Sequence, residues 1–135
     1  MTFKELLIKH EALRLKPYRC PAGKLTIGVG RNLQDRGISK EEAMFMLDND
    51  IEQTLRECRS FPWFERLDNV RQAVVASMVF NLGLSRFEKF KKTIAAIESG
   101  NYAKAAAEMV LSDWFIQVGN RGPELVEMMR TGRVQ

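Results

Sequence analysis

One segment of the chain is apolar on nearly every side of the helix that it predicts. Across residues 69–82, aliphatic, methionine and phenylalanine side chains fall on all faces at the helical period instead of forming one stripe. A helix without a polar face in a water-soluble protein is normally buried among other helices. Asp68 is placed to cap this helix and Gly83 to end it. We therefore expect a helical bundle built around residues 69–82.

Two capping boxes predict helices that precede this central one. Thr2-Phe3-Lys4-Glu5 starts a helix over about residues 3–12, and Ser39-Lys40-Glu41-Glu42 starts a long second helix. Cys58 lies on the apolar stripe of the long helix and is interpreted as a small core residue.

Further helices are expected after the central one, over about residues 86–99, 102–111 and 123–130. The seven methionines are interpreted as core filler. Four glycines are interpreted as breaks between these helices: Gly100, Gly119, Gly122 and Gly132.

The only strand-like region lies between the first helix and the long one. Residues 15–19 and 24–31 flank Cys20-Pro21-Ala22-Gly23, whose proline and glycine suit a tight turn. Gly28 and Gly30 alternate with larger residues, which leaves room for a close backbone approach on one face. This region predicts a hairpin.

Together these patterns predict a mainly helical α+β protein that folds as a single domain over residues 1–135. A small lobe over about residues 12–38 would contain the hairpin, and the long helix would connect it to a helical lobe. That second lobe would comprise residues 60–135 together with the N-terminal helix. A cleft between the lobes would be the natural ligand site.

Charge and composition narrow the classes of partner. The net charge of +4 and the pI near 9.3 favour anionic partners such as nucleic acid, an acidic cell-wall polymer or a membrane surface. No helix carries a basic stripe interleaved with aromatic residues, so nucleic acid is not expected. No apolar run approaches the ~20 residues of a membrane span, and no signal peptide is recognised at the N-terminus. Two cysteines are too few for a disulfide framework or a Cys-type zinc site.

Three polar residues near the hairpin are candidates for chemistry: Glu11, Cys20 and Thr26. Glu11 falls at the end of the first helix, where the helix dipole disfavours a charged carboxylate and suits a general acid. Taken singly, each residue also has an ordinary interpretation. Glu11 could be a surface glutamate, Cys20 a loop residue and Thr26 a strand residue.

Residues 11–30 resemble the signature of the phage-type lysozymes, glycoside hydrolase family 24. In that signature a glutamate is followed by eight residues, an aspartate or cysteine, five residues and a threonine, and Glu11, Cys20 and Thr26 match this spacing. Residues 70–83 and 87–93 are similar to helices of the family. The closing segments are similar too: Ser112-Asp113-Trp114, Asn120-Arg121 and Arg130-Thr131-Gly132.

The resemblance implies a lysozyme-like fold and hydrolysis of the bond between N-acetylmuramic acid and N-acetylglucosamine in bacterial peptidoglycan. Glu11 would protonate the leaving oxygen, Cys20 would take the second catalytic position, and Thr26 would place the attacking water. The implied sugar contacts are Asn32, Phe80 and Thr93.

The same resemblance implies a monomer that needs no metal and no cofactor. It also implies an enzyme held in the host cytoplasm until a holin-type partner lets it reach the wall.

Two departures from the family pattern are visible. Arg31 stands where many relatives carry a histidine, and we expect it to pair with an acid such as Asp50. The linker over residues 33–38 is short, which predicts a shallower cleft.

Two other activities stay open. One is a lytic transglycosylase that uses Glu11 alone. The other is a non-catalytic wall-binding protein that has lost its activity through the cysteine at position 20.

Overall fold

The computed structural model, which describes residues 1–135, contains three short strands and nine α-helices. The elements run α1 Phe3–Glu11, β1 Arg14–Arg19, β2 Leu25–Gly28, β3 Arg31–Asn32, α2 Leu33–Arg36, α3 Lys40–Arg59, α4 Asn69–Leu82, α5 Leu84–Phe87, α6 Lys91–Glu98, α7 Tyr102–Val110, α8 Asp113–Gln117 and α9 Arg121–Thr131, with a 3-10 turn at Phe64–Arg66. The expected fold class, α+β and mainly helical, is confirmed.

The chain divides into two compact units, Met1–Met46 and Leu47–Gln135. The first unit holds α1, the three strands, α2 and the start of α3, and the second holds the remaining helices. The assignment of residues 1–135 to one domain, with the first helix joined to the helical lobe and a cleft between lobes, stays a prediction.

Both predicted capping boxes are present. The Thr2 hydroxyl accepts a hydrogen bond from the Glu5 backbone N–H at 3.1 Å, and the Glu5 carboxylate accepts one from the Thr2 N–H at 3.0 Å. Ser39 and Glu42 form the same pair of bonds at 3.1 and 2.8 Å, at the start of α3. Asp68 caps α4 by accepting from the Arg71 N–H at 2.9 Å. Each cap satisfies backbone donors that the first helical turn leaves free.

The sheet has three antiparallel strands in the order β1-β2-β3, one more than the predicted hairpin. The expectation of a single second strand over residues 24–31 was wrong, because β2 ends at Gly28. Gly28 and Gly30 have φ angles of 72° and 70°, which no continuing strand adopts. The chain therefore turns between them into β3, which places Asn32 opposite Thr26.

The core of the second unit forms around α4, as predicted. Val74, Val75, Met78 and Val79 are buried on this helix, and Cys58 is buried with them. The core interpretation of Cys58 is confirmed. None of the helices is long and apolar enough to cross a membrane.

Only some of the seven methionines fill the core, as the sequence analysis expected of all of them. Met78, Met109 and Met129 are fully buried, whereas Met44 and Met46 are about half exposed. The exposed pair lies on a stretch of α3 that presents its side chains to solvent, where hydrophobicity alone does not secure burial.

Element boundaries in the second half of the chain differ from the prediction. The helix expected over residues 86–99 is broken into α5 and α6, and α8 was not predicted at all. Gly122 was interpreted as a break between helices, but it lies buried inside α9. A Cβ at this position would lie 2.8 Å from a ring carbon of Phe115, so its role is to allow close packing.

A bidentate ion pair joins the sheet to the start of α3. Arg31 donates to the two carboxylate oxygens of Glu42 at 2.9 and 2.6 Å and to the carbonyl of Gly37 at 3.1 Å. The expected pairing of Arg31 with Asp50 was therefore wrong, because Glu42 in the first turn of α3 lies nearer the turn that carries Arg31. The Arg31 guanidinium, together with the Ser39 N–H, lowers the pKa of Glu42 to about 2.

We expect this ion pair to make the folding stability of the protein depend on pH. A carboxyl whose pKa is depressed in the folded state adds stability above its ordinary pKa of about 4.5, and this stability is lost as the pH falls through about 2. At neutral pH, Glu42→Gln should unfold at a lower temperature than the wild type. This difference in Tm should disappear in acid. The neighbouring Glu41→Gln, an exposed carboxylate outside any ion pair, is the control. A difference in Tm that stays constant with pH would contradict the stabilising role of the Arg31–Glu42 ion pair.

Candidate active site

Glu11 is the last residue of α1, and its carboxylate lies against Gly30 in the turn between β2 and β3. A Cβ placed on Gly30 would lie 2.8 Å from Oε2 and 3.0 Å from Cδ of Glu11. The absence of a side chain at position 30 therefore creates the space that the carboxylate occupies. This contact brings the end of α1 onto the sheet, as the close backbone approach inferred from the Gly-x-Gly pattern suggested.

The residue after Glu11 has an unusual backbone. Ala12 has φ 62° and ψ 156°, and it is the one non-glycine residue with a positive φ. This region of conformational space is almost restricted to glycine, and an L-residue held there costs on the order of 1–3 kcal/mol. Its N–H still closes the last turn of α1 by donating to the Ile8 carbonyl at 3.1 Å. The chain thus leaves the helix sharply, immediately after the carboxylate.

Cys20 and Thr26 lie together at the β1–β2 turn. The Cys20 backbone pairs with Lys24 at 2.9 Å, which closes the turn around the thiol. Thr26 is buried, with 3% of its surface exposed, and its hydroxyl donates to the Lys24 carbonyl at 2.9 Å. The same hydroxyl also favours the charged form of the Cys20 sulfur. Because the hydroxyl has one proton, it can donate to only one of these acceptors at a time.

The environment of Cys20 favours the thiolate. The backbone N–H of Lys24, and to a smaller extent that of Ala22 and the Thr26 hydroxyl, favour a charged sulfur and hold the pKa of the Cys20 thiol below the ordinary value of a cysteine. Cys58 shows the opposite effect, since burial raises the pKa of its thiol to about 11. The pKa values of the two thiols are therefore shifted in opposite directions.

We expect alkylation by iodoacetamide to distinguish the two thiols. The thiolate is the nucleophile, so Cys20 should react at a pH where an ordinary cysteine is mostly protonated, while Cys58 stays unmodified until the chain unfolds. Mass spectrometry of the peptides after timed labelling measures both rates. Thr26→Val removes a hydroxyl that favours the Cys20 thiolate and should shift the Cys20 labelling curve to higher pH. Equal rates for Cys20 and Cys58 in the folded protein would contradict this.

The three predicted sugar contacts are distributed over both units. Asn32 lies in the first unit, where it caps α2 by accepting from the Asp35 N–H at 3.0 Å and donating to the Asp35 carboxylate at 2.9 Å. Phe80 and Thr93 lie in the second unit. Phe80 is 48% exposed on α4, and Thr93 is 3% exposed on α6.

Phe80 forms part of the wall of a cavity of about 260 Å³ that the sequence analysis did not predict. Ser77 and Asn81 on α4 and Arg121 at the start of α9 supply its polar groups, and side chains of α3 supply much of its apolar surface. An exposed aromatic ring beside polar groups is suited to contact a sugar, because a pyranose has both an apolar face and hydroxyls. The mainly apolar sequence of α4 does not predict these polar neighbours, although only four of its fourteen residues are buried.

No group of three or more His, Cys, Asp or Glu side chains is arranged to hold a metal ion. In the first unit the Glu11 carboxylate lies against Gly30, and the Thr26 hydroxyl favours the thiolate of Cys20.

Comparison with known proteins gives consistent matches along the chain. The phage lysozyme family model matches residues 8–130. The chain is 27% identical to "Probable T4-type lysozyme 2" of Dictyostelium discoideum, with 99% of this chain and 96% of the relative covered. It is 32% identical to the "Endolysin" of Acyrthosiphon pisum secondary endosymbiont phage 1 (78% and 73% covered) and 28% identical to the "SAR-endolysin" of Escherichia phage Mu (87% and 68% covered).

Proposed function

Since the chain belongs to the phage lysozyme family, we propose that it hydrolyses the bond between N-acetylmuramic acid and N-acetylglucosamine in bacterial peptidoglycan, with Glu11 as the general acid. The observation that carries the assignment of Glu11 is the seating of its carboxylate against Gly30, at the helix end where the signature places the acid. The side chain is exposed and can reach a bound polymer.

In this mechanism Glu11 protonates the glycosidic oxygen as the bond to the anomeric carbon breaks. Glycosidases normally use a second carboxylate to stabilise the positive charge that develops on the sugar or to activate water. Cys20 occupies that position. Its lowered pKa gives the thiol more anionic character than an ordinary cysteine, and an anion there supports the developing charge.

Thr26 has a supporting part in the same proposal. Its hydroxyl is fixed by the Lys24 carbonyl and lies beside the Cys20 sulfur, so the pair can orient one water molecule for attack. Phe80 provides an aromatic surface for a sugar ring, and Asn32 and Thr93 provide further polar contacts.

The biological setting follows from the family. We propose that the enzyme acts as a monomer on the wall of a bacterial cell and leaves the host cytoplasm through a holin-type partner. Neither a metal nor another cofactor has a role in the proposed reaction.

Two measurements test the activity. Purified protein should reduce the turbidity of permeabilised bacterial cells, and mass spectrometry of digested peptidoglycan should find N-acetylmuramic acid with a free reducing end. Anhydro-muramic products would instead identify a lytic transglycosylase. Binding to the wall without lysis would identify a non-catalytic relic.

A further inference from the structure

A second cavity, of about 360 Å³, is lined by the middle of α3 and the end of α4 in the second unit. Its polar wall consists of Asp50, Gln53, Thr54 and Glu57, whose spacing places them on one face of α3. No lysine, arginine or histidine contributes to the lining. The cavity is therefore acidic, in a chain whose net charge is +4.

The two carboxylates of this cavity have no partner that neutralises them. Neither Asp50 nor Glu57 forms an ion pair. The two arginines at the end of α3 pair with other acids, at 3.1 and 3.0 Å. Because two carboxylates that share a site repel each other, a cation between them is favoured. A metal ion is not the expected cation, since two carboxylates are fewer acidic ligands than such a site normally uses.

The end of α4 adds to the negative potential of the cavity. Phe80 and Gly83 line the cavity, and α4 ends between them at Leu82. The last carbonyl groups of an α-helix have no partner within the helix and lie at the negative end of its dipole. A basic side chain often compensates for this, yet the last turn of α4 contains none. A cation bound in the cavity would supply the missing positive charge.

Thr54 provides a separate observation that points to a ligand. It is 7% exposed and lines the cavity, yet its hydroxyl makes no hydrogen bond to the rest of the chain. A helical threonine can donate to the carbonyl four residues back, as Thr131 does to Glu127 at 2.8 Å. The Thr54 hydroxyl is not enclosed, because the indole N–H of Trp114 is the one enclosed side-chain polar atom without a partner. Thr54 thus holds an unused hydrogen-bonding group at the wall of an acidic cavity.

We propose that this cavity binds a primary ammonium group. Such a group has one positive charge and three N–H donors, and the Thr54 hydroxyl and the carboxylates accept them. Thr54 lies one helical turn from Asp50 and one from Glu57, so an ammonium group at its hydroxyl is flanked by both carboxylates.

Two sources carry this chemistry: a side-chain amine of the peptide attached to the wall polymer, and a free polyamine. Phe80 lines both this cavity and the cavity of about 260 Å³, so a group bound here lies next to the ring assigned to a sugar. The wall peptide as a source rests on the proposed function, whereas the ammonium site itself does not.

Titration with methylammonium chloride at constant ionic strength tests the site. The backbone amide NMR signals of Thr54 and Glu57 should shift and saturate, in the wild type and equally in Glu11→Gln. Tetramethylammonium has the same charge but no N–H donor, so it should bind about tenfold more weakly. If both cations shift the signals to the same extent, the response is ionic screening and the site is not there.

Asp50→Asn should weaken methylammonium binding about tenfold, the effect of one charge-assisted hydrogen bond. Asp48→Asn is the matched control and should leave binding unchanged, because Asp48 is exposed on the same helix but faces away from the cavity. Thr54→Val keeps the size of the side chain and removes its hydroxyl, so it should weaken binding while thermal unfolding confirms the fold. Equal weakening by Asp48→Asn and Asp50→Asn would refute the site.

Purified walls identify the source of the ammonium group. Acetylation of the free amines of the wall should reduce binding of Glu11→Gln if the group belongs to the wall peptide. For a chain of net charge +4, the loss of positive charge from the wall would otherwise strengthen binding. If acetylation does not reduce binding, the peptide is not the source, and spermidine should saturate the same amide signals at a lower concentration than methylammonium. If spermidine does not, both sources are refuted.

The ammonium site and the proposed function fail separately. A wild-type protein that binds methylammonium but does not lyse cells would refute the proposed function and leave the ammonium site intact. A protein that lyses cells while the Thr54 and Glu57 signals do not respond would refute the ammonium site alone.

Discussion

Glu11→Gln is expected to abolish lysis of permeabilised cells while leaving the fold intact. An amide has nearly the shape of a carboxylic acid but cannot give a proton to the glycosidic oxygen, and general-acid catalysis typically contributes about 10²–10⁴-fold in rate. Glu11 is exposed and forms no ion pair, so its replacement leaves no buried partner without a bond. The initial rate of turbidity loss measures activity, and thermal unfolding measures the fold.

Two further variants sharpen this result. Glu41→Gln removes a charge from an exposed position in the same unit and should retain full lysis. Cys20→Ser keeps a polar group and should retain a measurable fraction, because Glu11 then still protonates the leaving oxygen. If Glu11→Gln lysed cells like the wild type, the assignment of the acid would be wrong. Equal loss in Glu11→Gln and Cys20→Ser would indicate that the thiolate takes a covalent part.

The second large effect is expected from Gly30→Ala. The new methyl group would lie 2.8 Å from Oε2 of Glu11, well inside the contact distance, so the carboxylate must move away. The Glu11 side chain is flexible and exposed, and the fold can therefore survive while the acid is displaced. Because small displacements of a catalytic group can cost about a hundredfold in rate, we expect loss of that order.

Gly28→Ala provides a matched control two residues earlier. Gly28 has a φ of 72°, close to the 70° of Gly30, so both substitutions force an alanine into the same unfavourable backbone region. Nothing lies within 4 Å of a Cβ at Gly28. Both variants should lose about 1–2 kcal/mol of stability from the backbone term, and only Gly30→Ala should lose most of its lysis. A similar loss of activity in both would assign the effect to backbone strain and not to the carboxylate.

The helix starts could be predicted because they are local. Thr2, Ser39 and Asp68 each bond to a backbone N–H three residues ahead, so the evidence for the cap lies within one turn. At the break between α5 and α6, the rings of Phe87 and Phe90 stack with their centroids 6.3 Å apart. Such tertiary contacts override helical propensity and leave no clear local pattern.

In the candidate site, too, contacts between residues distant in the sequence could not be predicted. The spacing of Glu11, Cys20 and Thr26 was readable through the family resemblance, but the neighbours of these residues were not. The partner of Arg31 is Glu42 and not Asp50, since the path of the turns before α3 decides which acid is within reach. The contact between Glu11 and Gly30 joins residues nineteen positions apart and involves an absent side chain, which no periodicity reveals.

The backbone of Ala12 has a consequence for how this protein can evolve. Eight of the nine glycines have a positive φ, so most turns of this kind in the chain use the residue that suits them. The turn directly after the proposed acid does not. Selection for stability alone would favour glycine at position 12, and glycine would also let the end of α1 fray. Alanine at position 12 therefore trades stability for a less flexible exit from the helix, directly after the proposed acid.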